Sequence, residues 1–213
     1  MSSNSSSSPP VITAASAQTR QLILGSTSRY RRELLARLNT PFTVVGPDVD
    51  ETPAEHEAPY ALALRLALAK ARAVAALHPE AVVIGSDQVA DLNGTPLGKP
   101  GTHERAVLQL QRMRGQTVVF QTAVAVVCAA TQFEEVDLAA VKVRFRDLSD
   151  AEIESYLRTE QPYDCAGSAK SEGLGIALLA SIDNDDPTAL VGLPLIRTCR
   201  MLRAAGIALL GSA

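Results

Sequence analysis

Apolar and polar positions follow two different periods along the chain, and the change of period separates strands from helices. Short runs of consecutive apolar residues, at 22–24 and 81–84, are typical of strands covered on both faces. Longer segments repeat apolar residues every three or four positions, which is the pattern of amphipathic helices. Residues 117–130 and 133–145 predict a large antiparallel ribbon, with clean alternation at 141–145. This order of elements predicts an α/β fold.

Helices are predicted over residues 28–38, 59–77, 102–113, 149–159 and 193–205. Strands are predicted over residues 22–25, 43–45, 81–85, 88–91, 95–97, 117–130, 133–145 and 175–179. Asn93-Gly94 predicts a hairpin turn, and Ser149 with Glu152 forms a capping box. Residues 183–186 lack the spacing of a calcium loop and predict a solvated loop. Together these segments predict one domain over residues 21–213, in which helices flank a mixed sheet around a cleft.

The junction after the first strand has the composition of an anion site. Gly25 ends the apolar run, Ser26 and Ser28 supply hydroxyl groups, and Arg31 lies at the start of the helix. A helix N-terminus presents free N–H groups and the positive end of the helix dipole. Arginine adds a fork-shaped charged donor, so a phosphate is one interpretation. The other is an ordinary junction whose arginines face water.

Cations and acids lie near the predicted strand ends and turns. The cations are Arg31, Lys70 and Lys99, and the acids are Glu51, Asp87 and Asp91. Hydrolysis of a phosphoanhydride uses both kinds, because carboxylates hold a divalent metal and cations neutralise phosphate oxygens. Asp87 is the strongest candidate, since it follows an apolar strand and would bind the metal, accept a proton from water, or do both. The alternative is a turn-forming Asp beside Ser86.

Composition narrows the class of protein. The net charge of −3 and the absence of tryptophan argue against a nucleic-acid-binding surface. Three widely spaced cysteines show no metal or disulfide pattern, which favours a reducing compartment and a cytoplasmic protein. No apolar stretch is long enough to cross a membrane. Residues 1–20 are rich in serine, lack the features of a signal peptide, and predict a disordered tail.

Seven ordered motifs resemble the Maf-like nucleoside triphosphate pyrophosphatases over residues 22–206. They are Ser-Thr-Ser-Arg-Tyr-Arg-Arg (26–32), Asp-Glu-Thr-Pro (50–53), Lys-Ala (70–71), Gly-Ser-Asp-Gln-Val (85–89), Gly-Lys-Pro (98–100), Cys-Ala-Gly-Ser-Ala-Lys-Ser-Glu-Gly (165–173) and Val-Gly-Leu-Pro-Leu (191–195). The resemblance implies hydrolysis of a nucleoside triphosphate between its α and β phosphates. It also implies an α/β fold in which a mixed, twisted sheet flanked by helices has a deep nucleotide-binding cleft, together with a divalent metal, Mg²⁺ or Mn²⁺, and a homodimer.

The resemblance implies a role for each matching position. Asp87 corresponds to the catalytic acid, and Glu51 joins it as a carboxylate of the metal region. The implied phosphate-binding residues are Ser26, Ser28, Arg31, Lys70 and Lys99. Asp91 has no counterpart and is excluded from the predicted site.

Three positions are implied to select the base: Tyr30, Gln88 and Glu172. This combination of an aromatic residue, Gln and Glu resembles the branch of the family that acts on 7-methyl-GTP. Tryptophan is expected at position 30 in that branch. N7-methylated guanine is cationic, so Tyr30 can stack on it with a cation–π contribution. Glu172 can accept hydrogen bonds from the guanine N1–H and N2–H groups and would repel a pyrimidine carbonyl.

The predicted function is therefore removal of 7-methyl-GTP, a modified nucleotide, from the nucleotide pool. Hydrolysis of dTTP or UTP by the same fold is an alternative. A second alternative is a nucleotide-binding regulator of septum formation, because Maf-like proteins are also associated with that process. The predicted partners are the nucleotide and a second copy of the chain, with no nucleic acid and no membrane.

Overall fold

The computed structural model describes residues 20–210, so the predicted tail lies outside the described residues except for Arg20. Seven strands in the described range form one sheet: β1 (Leu22–Gly25), β2 (Thr43–Val44), β3 (Val82–Leu92), β4 (Thr95–Leu97), β5 (Thr117–Cys128), β6 (Phe133–Phe145) and β7 (Leu179–Asp183). Five α-helices in the same range flank it: α1 (Arg29–Ala36), α2 (Pro59–Leu77), α3 (His103–Met113), α4 (Asp150–Glu160) and α5 (Leu195–Ala204). The predicted α/β fold with a mixed sheet is confirmed.

The sheet is parallel at one side and antiparallel at the other. Its strand order is β2-β1-β3-β5-β6-β7, and β4 pairs with β3. Strand β1 runs parallel to both β2 and β3, whereas β5, β6 and β7 form antiparallel pairs. Because β1 stops at Gly25 while β3 continues to Leu92, the second half of β3 extends past the carboxyl end of β1. Ligands of α/β proteins commonly bind at such an edge.

Three apolar clusters hold the helices on the sheet. Helix α2 packs on one face against residues that include Ile23 and Val83. Helices α1 and α5 pack on the opposite face, around Leu24 and Ile84. The third cluster joins α3 and α4 to the far ends of β3, β5 and β6. No helix in the described range is both long and apolar enough to cross a membrane.

Strand β3 differs from the sequence prediction. The predicted strands 81–85 and 88–91 are a single strand, so Ser86, Asp87 and Gln88 lie within it. Each polar side chain has a partner: Ser86 Oγ donates to Ala123 O, Asp87 accepts from Lys70, and Gln88 donates to Thr122. Polar residues inside a sheet are tolerated when such bonds satisfy them. The predicted hairpin turn is confirmed, with positive φ angles at Asn93 and Gly94.

Two predictions near the C-terminus were wrong. The strand predicted over residues 175–179 is a 3₁₀ helix at Leu174–Leu178, and β7 follows it as an edge strand with mostly exposed residues. Because β7 is mostly exposed, its sequence lacks the alternation of apolar and polar residues from which a strand is predicted. Residues 183–186 are not entirely a solvated loop, because Asp186 is completely buried. Its Oδ2 accepts from the amides of Ile196 and Arg197 in α5.

Candidate functional site

A close contact between α2 and β3 brings Lys70 and Asp87 together. A Cβ atom at Gly85 would lie 2.2 Å from the carbonyl oxygen of Ala67 and 2.5 Å from the amide nitrogen of Ala71. Only glycine allows the strand backbone to approach the helix backbone this closely. Lys70 is on that part of α2, and Asp87 is two residues beyond Gly85 on β3. The approach therefore positions both side chains.

Lys70 is a nearly buried ammonium group shared by two carboxylates. Its Nζ lies 2.7 Å from Asp87 Oδ1 and 2.9 Å from Glu51 Oε1. The side chain of Lys70 is only 7% exposed, whereas that of Glu51 is 61% exposed. Glu51 thus closes the pair from the solvent side. Because two carboxylates share the single positive charge of Lys70, these three side chains have a formal charge of −1. This charge favours the binding of an additional cation.

The start of α1 forms a second polar group at the carboxyl end of β1. Ser28 is the N-cap residue, and its Oγ accepts from the amide of Arg31. The Oγ of Ser26 accepts from the Ser28 amide and from Arg31 Nη1. Burial lowers the pKa of Arg31, and the carboxylates of Asp87 and Glu51 partly oppose this effect. The anion site predicted from the sequence therefore faces the acidic group around Lys70.

The turn over residues 188–192 fixes Arg31 and Gln88. Arg31 Nε donates to the carbonyl oxygen of Gly192 at 2.8 Å, and Ser86 Oγ lies 3.1 Å from the same oxygen. Gln88 Nε2 donates to the carbonyl oxygens of Ala189 and Leu190, both at 3.0 Å. The side-chain amide nitrogen of Gln88 is therefore already occupied by hydrogen bonds within the protein. Within the described residues Oε1 of Gln88 has no hydrogen-bond partner, so it is the end available to a ligand.

Sequence reasoning assigned no role to this turn. Gly192 lies in the Val-Gly-Leu-Pro-Leu motif and has a φ of 124°, a conformation that favours glycine. Thr188 Oγ1 donates to the carbonyl oxygen of Leu193, and also accepts from the amide of Leu195. The carboxylate of Asp186 accepts from two amides in the first turn of α5, those of Ile196 and Arg197, which are 10 and 11 residues further along the chain. Such distant caps leave no local pattern in the sequence.

Tyr30, in the first turn of α1, contacts the loop after α4, and this loop carries Glu172. The guanidinium carbon of Arg29 is 4.7 Å from the centre of the Tyr30 ring, and Arg29 Nη2 donates to the Tyr30 hydroxyl at 2.8 Å. Cys165 Sγ lies 3.7 Å from that hydroxyl. Burial raises the pKa of Tyr30 and raises the pKa of Cys165 to about 11, so this thiol is not an activated nucleophile.

All ten predicted site residues line one cavity of about 700 Å³. They are Ser26, Ser28, Tyr30, Arg31, Glu51, Lys70, Asp87, Gln88, Lys99 and Glu172. Lys99 reaches it from the exposed loop after β4. The excluded Asp91 does not line it, and its carboxylate accepts from the Gly94 amide in the hairpin turn. A cavity of this size holds a nucleotide-sized ligand. The individual roles of these residues remain predictions.

Comparison with known proteins places this arrangement in a family. The family model described as "Maf-like protein" matches residues 21–205. A protein of Polaromonas sp. named 7-methyl-GTP pyrophosphatase is 76% identical over 197 residues, which are 92% of this chain and 90% of that protein. Proteins with the same name from Albidiferax ferrireducens and Burkholderia thailandensis are 73% and 63% identical. The matches cover 91% and 87% of this chain, and 97% and 88% of those proteins.

Proposed function

Because this chain belongs to the Maf-like protein family, we propose that it hydrolyses 7-methyl-GTP to 7-methyl-GMP and diphosphate. The observation that carries the proposal is the pair of Asp87 and Lys70 in a cavity that also contains Tyr30 and Glu172. The cavity offers an acid beside cations, as phosphoanhydride hydrolysis requires. It also offers an aromatic ring and a carboxylate for a cationic base.

The cations of the site bind and neutralise the triphosphate. Arg31 is held by Gly192 and Ser26, so its guanidinium is oriented before the nucleotide arrives. Ser28 and the free amides at the start of α1 add neutral donors. Lys99 has an exposed position and also lines the cavity. Donors that are fixed in advance stabilise the charge that develops on the phosphate oxygens without reorganising.

Asp87 is positioned to accept the proton of the attacking water. Lys70 holds Oδ1, and within the described residues Oδ2 has no hydrogen-bond partner. We assign Oδ2 as the proton acceptor. The water oxygen forms a bond to the α-phosphorus while the bond from that phosphorus to the bridging oxygen breaks. Diphosphate leaves with the bonding electrons, next to the cations.

The carboxylates of Glu51 and Asp87 fit a divalent metal such as Mg²⁺ or Mn²⁺. Both are oxygen donors, and their single shared cation leaves negative charge beside the cavity. Residues 20–210 contain no group of three or more metal-binding side chains. Mg²⁺ is usually bound by one or two carboxylates, and water and substrate oxygens complete its coordination. When bound, the metal would neutralise charge on the phosphate oxygens.

We also propose that the protein acts on free nucleotides in the cytoplasm as a homodimer. Within residues 20–210 all three cysteines are free thiols, which suits a reducing compartment. The net charge of −3 argues against nucleic acid or an anionic membrane surface as a partner. The homodimer follows from the family resemblance.

A nucleotide panel tests the proposed substrate. The protein is incubated with 7-methyl-GTP, GTP, dTTP and UTP in Mg²⁺ or Mn²⁺, and diphosphate release is measured. We expect the highest kcat/KM with 7-methyl-GTP. Faster turnover of dTTP or UTP would instead support a pyrimidine triphosphate pyrophosphatase. Binding without turnover of any nucleotide would support a regulatory protein.

The Glu172→Gln variant tests recognition of the base. We expect the ratio of kcat/KM for 7-methyl-GTP to that for GTP to fall about tenfold, because the carboxylate attracts the cationic N7-methylated ring more strongly than neutral guanine, whereas both bases present the same N1–H and N2–H donors. Turnover of dTTP and UTP should rise, because the repulsion from the carboxylate is removed. Glu80→Gln removes an exposed carboxylate outside the cavity and serves as the control. An unchanged ratio in Glu172→Gln would contradict the assignment.

A further inference from the structure

One carboxylate holds both ends of the turn that carries Glu172. We name residues 170–175 the base-recognition turn. Glu160, the last residue of α4, has Oε1 2.5 Å from Lys170 Nζ and Oε2 2.7 Å from the amide nitrogen of Leu174. Glu172 is midway between these two attachment points. The position of its backbone is therefore determined by Glu160.

Two glycines pack the base-recognition turn tightly against its support. A Cβ atom at Gly173 would lie 2.6 Å from Glu160 Oε2, and one at Gly175 would lie 2.5 Å from the carbonyl oxygen of Lys170. The amide of Lys170 donates to the hydroxyl of Tyr156 at 3.0 Å, which adds a second attachment to α4. The turn is thus folded onto α4, and not only linked to it by the ion pair.

The charges in this region create a competition for Lys170. Lys170 and Glu172 are two residues apart, and the Glu172 carboxylate contributes to raising the pKa of Lys170. The hydrogen bond that Lys170 donates to Glu160 is the largest cause of that raised pKa, and Lys170 correspondingly lowers the pKa of Glu160. The side chains of Glu160 and Lys170 are 13% and 22% exposed, so solvent screens their pairing only in part. Without Glu160, the nearest carboxylate on the same turn is Glu172.

We propose that Glu160 is a positioning residue for base selection, which holds Lys170 away from Glu172 and so leaves the Glu172 carboxylate without a competing cation and available to a cationic base. This inference rests on the proposed hydrolysis of 7-methyl-GTP. If Lys170 paired with Glu172 instead, its ammonium group would offset the negative charge that favours N7-methylated guanine over neutral guanine. The contacts of Lys70 with Asp87 and Glu51 do not involve this turn. Loss of Glu160 should therefore change the choice of base and leave the chemical step intact.

The test compares Glu160→Gln with the double variant Glu160→Gln/Lys170→Gln. We expect the ratio of kcat/KM for 7-methyl-GTP to that for GTP to fall about tenfold in Glu160→Gln, through a raised KM for 7-methyl-GTP, on the scale of one charged hydrogen bond. The double variant should recover most of that ratio, because no lysine remains to neutralise Glu172. Glu154→Gln removes another ion-paired carboxylate from α4, whose partners are His103 and Arg158, and is the matched control.

Two results would overturn the inference. One is an equal loss of kcat/KM for both nucleotides in Glu160→Gln, which indicates a purely structural role. The other is a double variant that recovers nothing. If the wild-type protein shows no preference for 7-methyl-GTP, the proposed substrate is wrong. The positioning role of Glu160 is then tested by hydrogen exchange in the protein without nucleotide. Hydrogen exchange at the Leu174 amide should accelerate in Glu160→Gln and not in Glu154→Gln; unchanged exchange would refute the positioning role.

Discussion

The Asp87→Asn variant is expected to release diphosphate from 7-methyl-GTP about a thousandfold more slowly than the wild-type protein, within the range typical of a lost general base. Asparagine has nearly the same shape, and its carbonyl oxygen can still accept from Lys70. It cannot take a proton from water at Oδ2. Because Asp87 is nearly buried in the middle of β3, opposite Ala123 of β5 and just past the end of β1, the isosteric change should preserve the fold. Single-turnover kinetics with diphosphate detection measure the loss.

Asp91→Asn is the matched control for this experiment. It makes the same substitution on the same strand, but Asp91 does not line the cavity and binds the Gly94 amide. We expect its kcat to stay within about threefold of the wild type, because Asp91 lies outside the cavity and asparagine keeps an oxygen that can accept from the Gly94 amide. Nucleotide binding and thermal unfolding show whether each variant is folded. A folded Asp87→Asn protein with near-normal turnover would contradict the assignment of the base.

The fold was predictable wherever burial leaves a periodic pattern. Helix α2 has the predicted bounds, and the long strands β5 and β6 were predicted to within two residues. Prediction failed for strand β3, where polar Ser86–Gln88 looked like the end of a strand. These residues remain in the sheet because Lys70, Thr122 and Ala123 satisfy them, and those partners lie far away in the sequence. A local pattern contains no information about such partners.

The composition of the candidate site was predictable, but its internal support was not. Motifs identified side chains with suitable chemistry, and all of them line one cavity. The residues that position them came only from the structure. Gly85 allows the approach of α2, Gly192 holds Arg31, and Glu160 holds the base-recognition turn. Each of these three residues acts either by letting two backbone segments come close together or by a contact between segments that are distant in the sequence. Residue type and spacing do not reveal either.

Replacement of Lys70 by methionine is expected to reduce kcat by a factor of about one hundred to one thousand, similar to the loss of one preorganised donor in other active sites. The change removes the cation that lies between Asp87 and Glu51. The two carboxylates would then repel each other and the triphosphate. Breaking a buried pair by removing one partner also destabilises the fold, by up to about 3–5 kcal/mol. Steady-state kinetics and thermal unfolding measure the two effects separately.

Arg72→Met provides the comparison that separates position from charge. Arg72 is two residues from Lys70 on α2, but it pairs with Glu134 at the surface, with 59% of its side chain exposed. Because exposed pairs contribute at most about 1 kcal/mol, we expect kcat within about twofold of the wild type and nearly unchanged stability. Lys70→Arg should behave more like Lys70→Met, since the larger planar guanidinium does not fit between two carboxylates placed for an ammonium group. If Lys70→Met kept near wild-type turnover, Asp87 would act independently of Lys70, and the paired site described above would be a structural feature only.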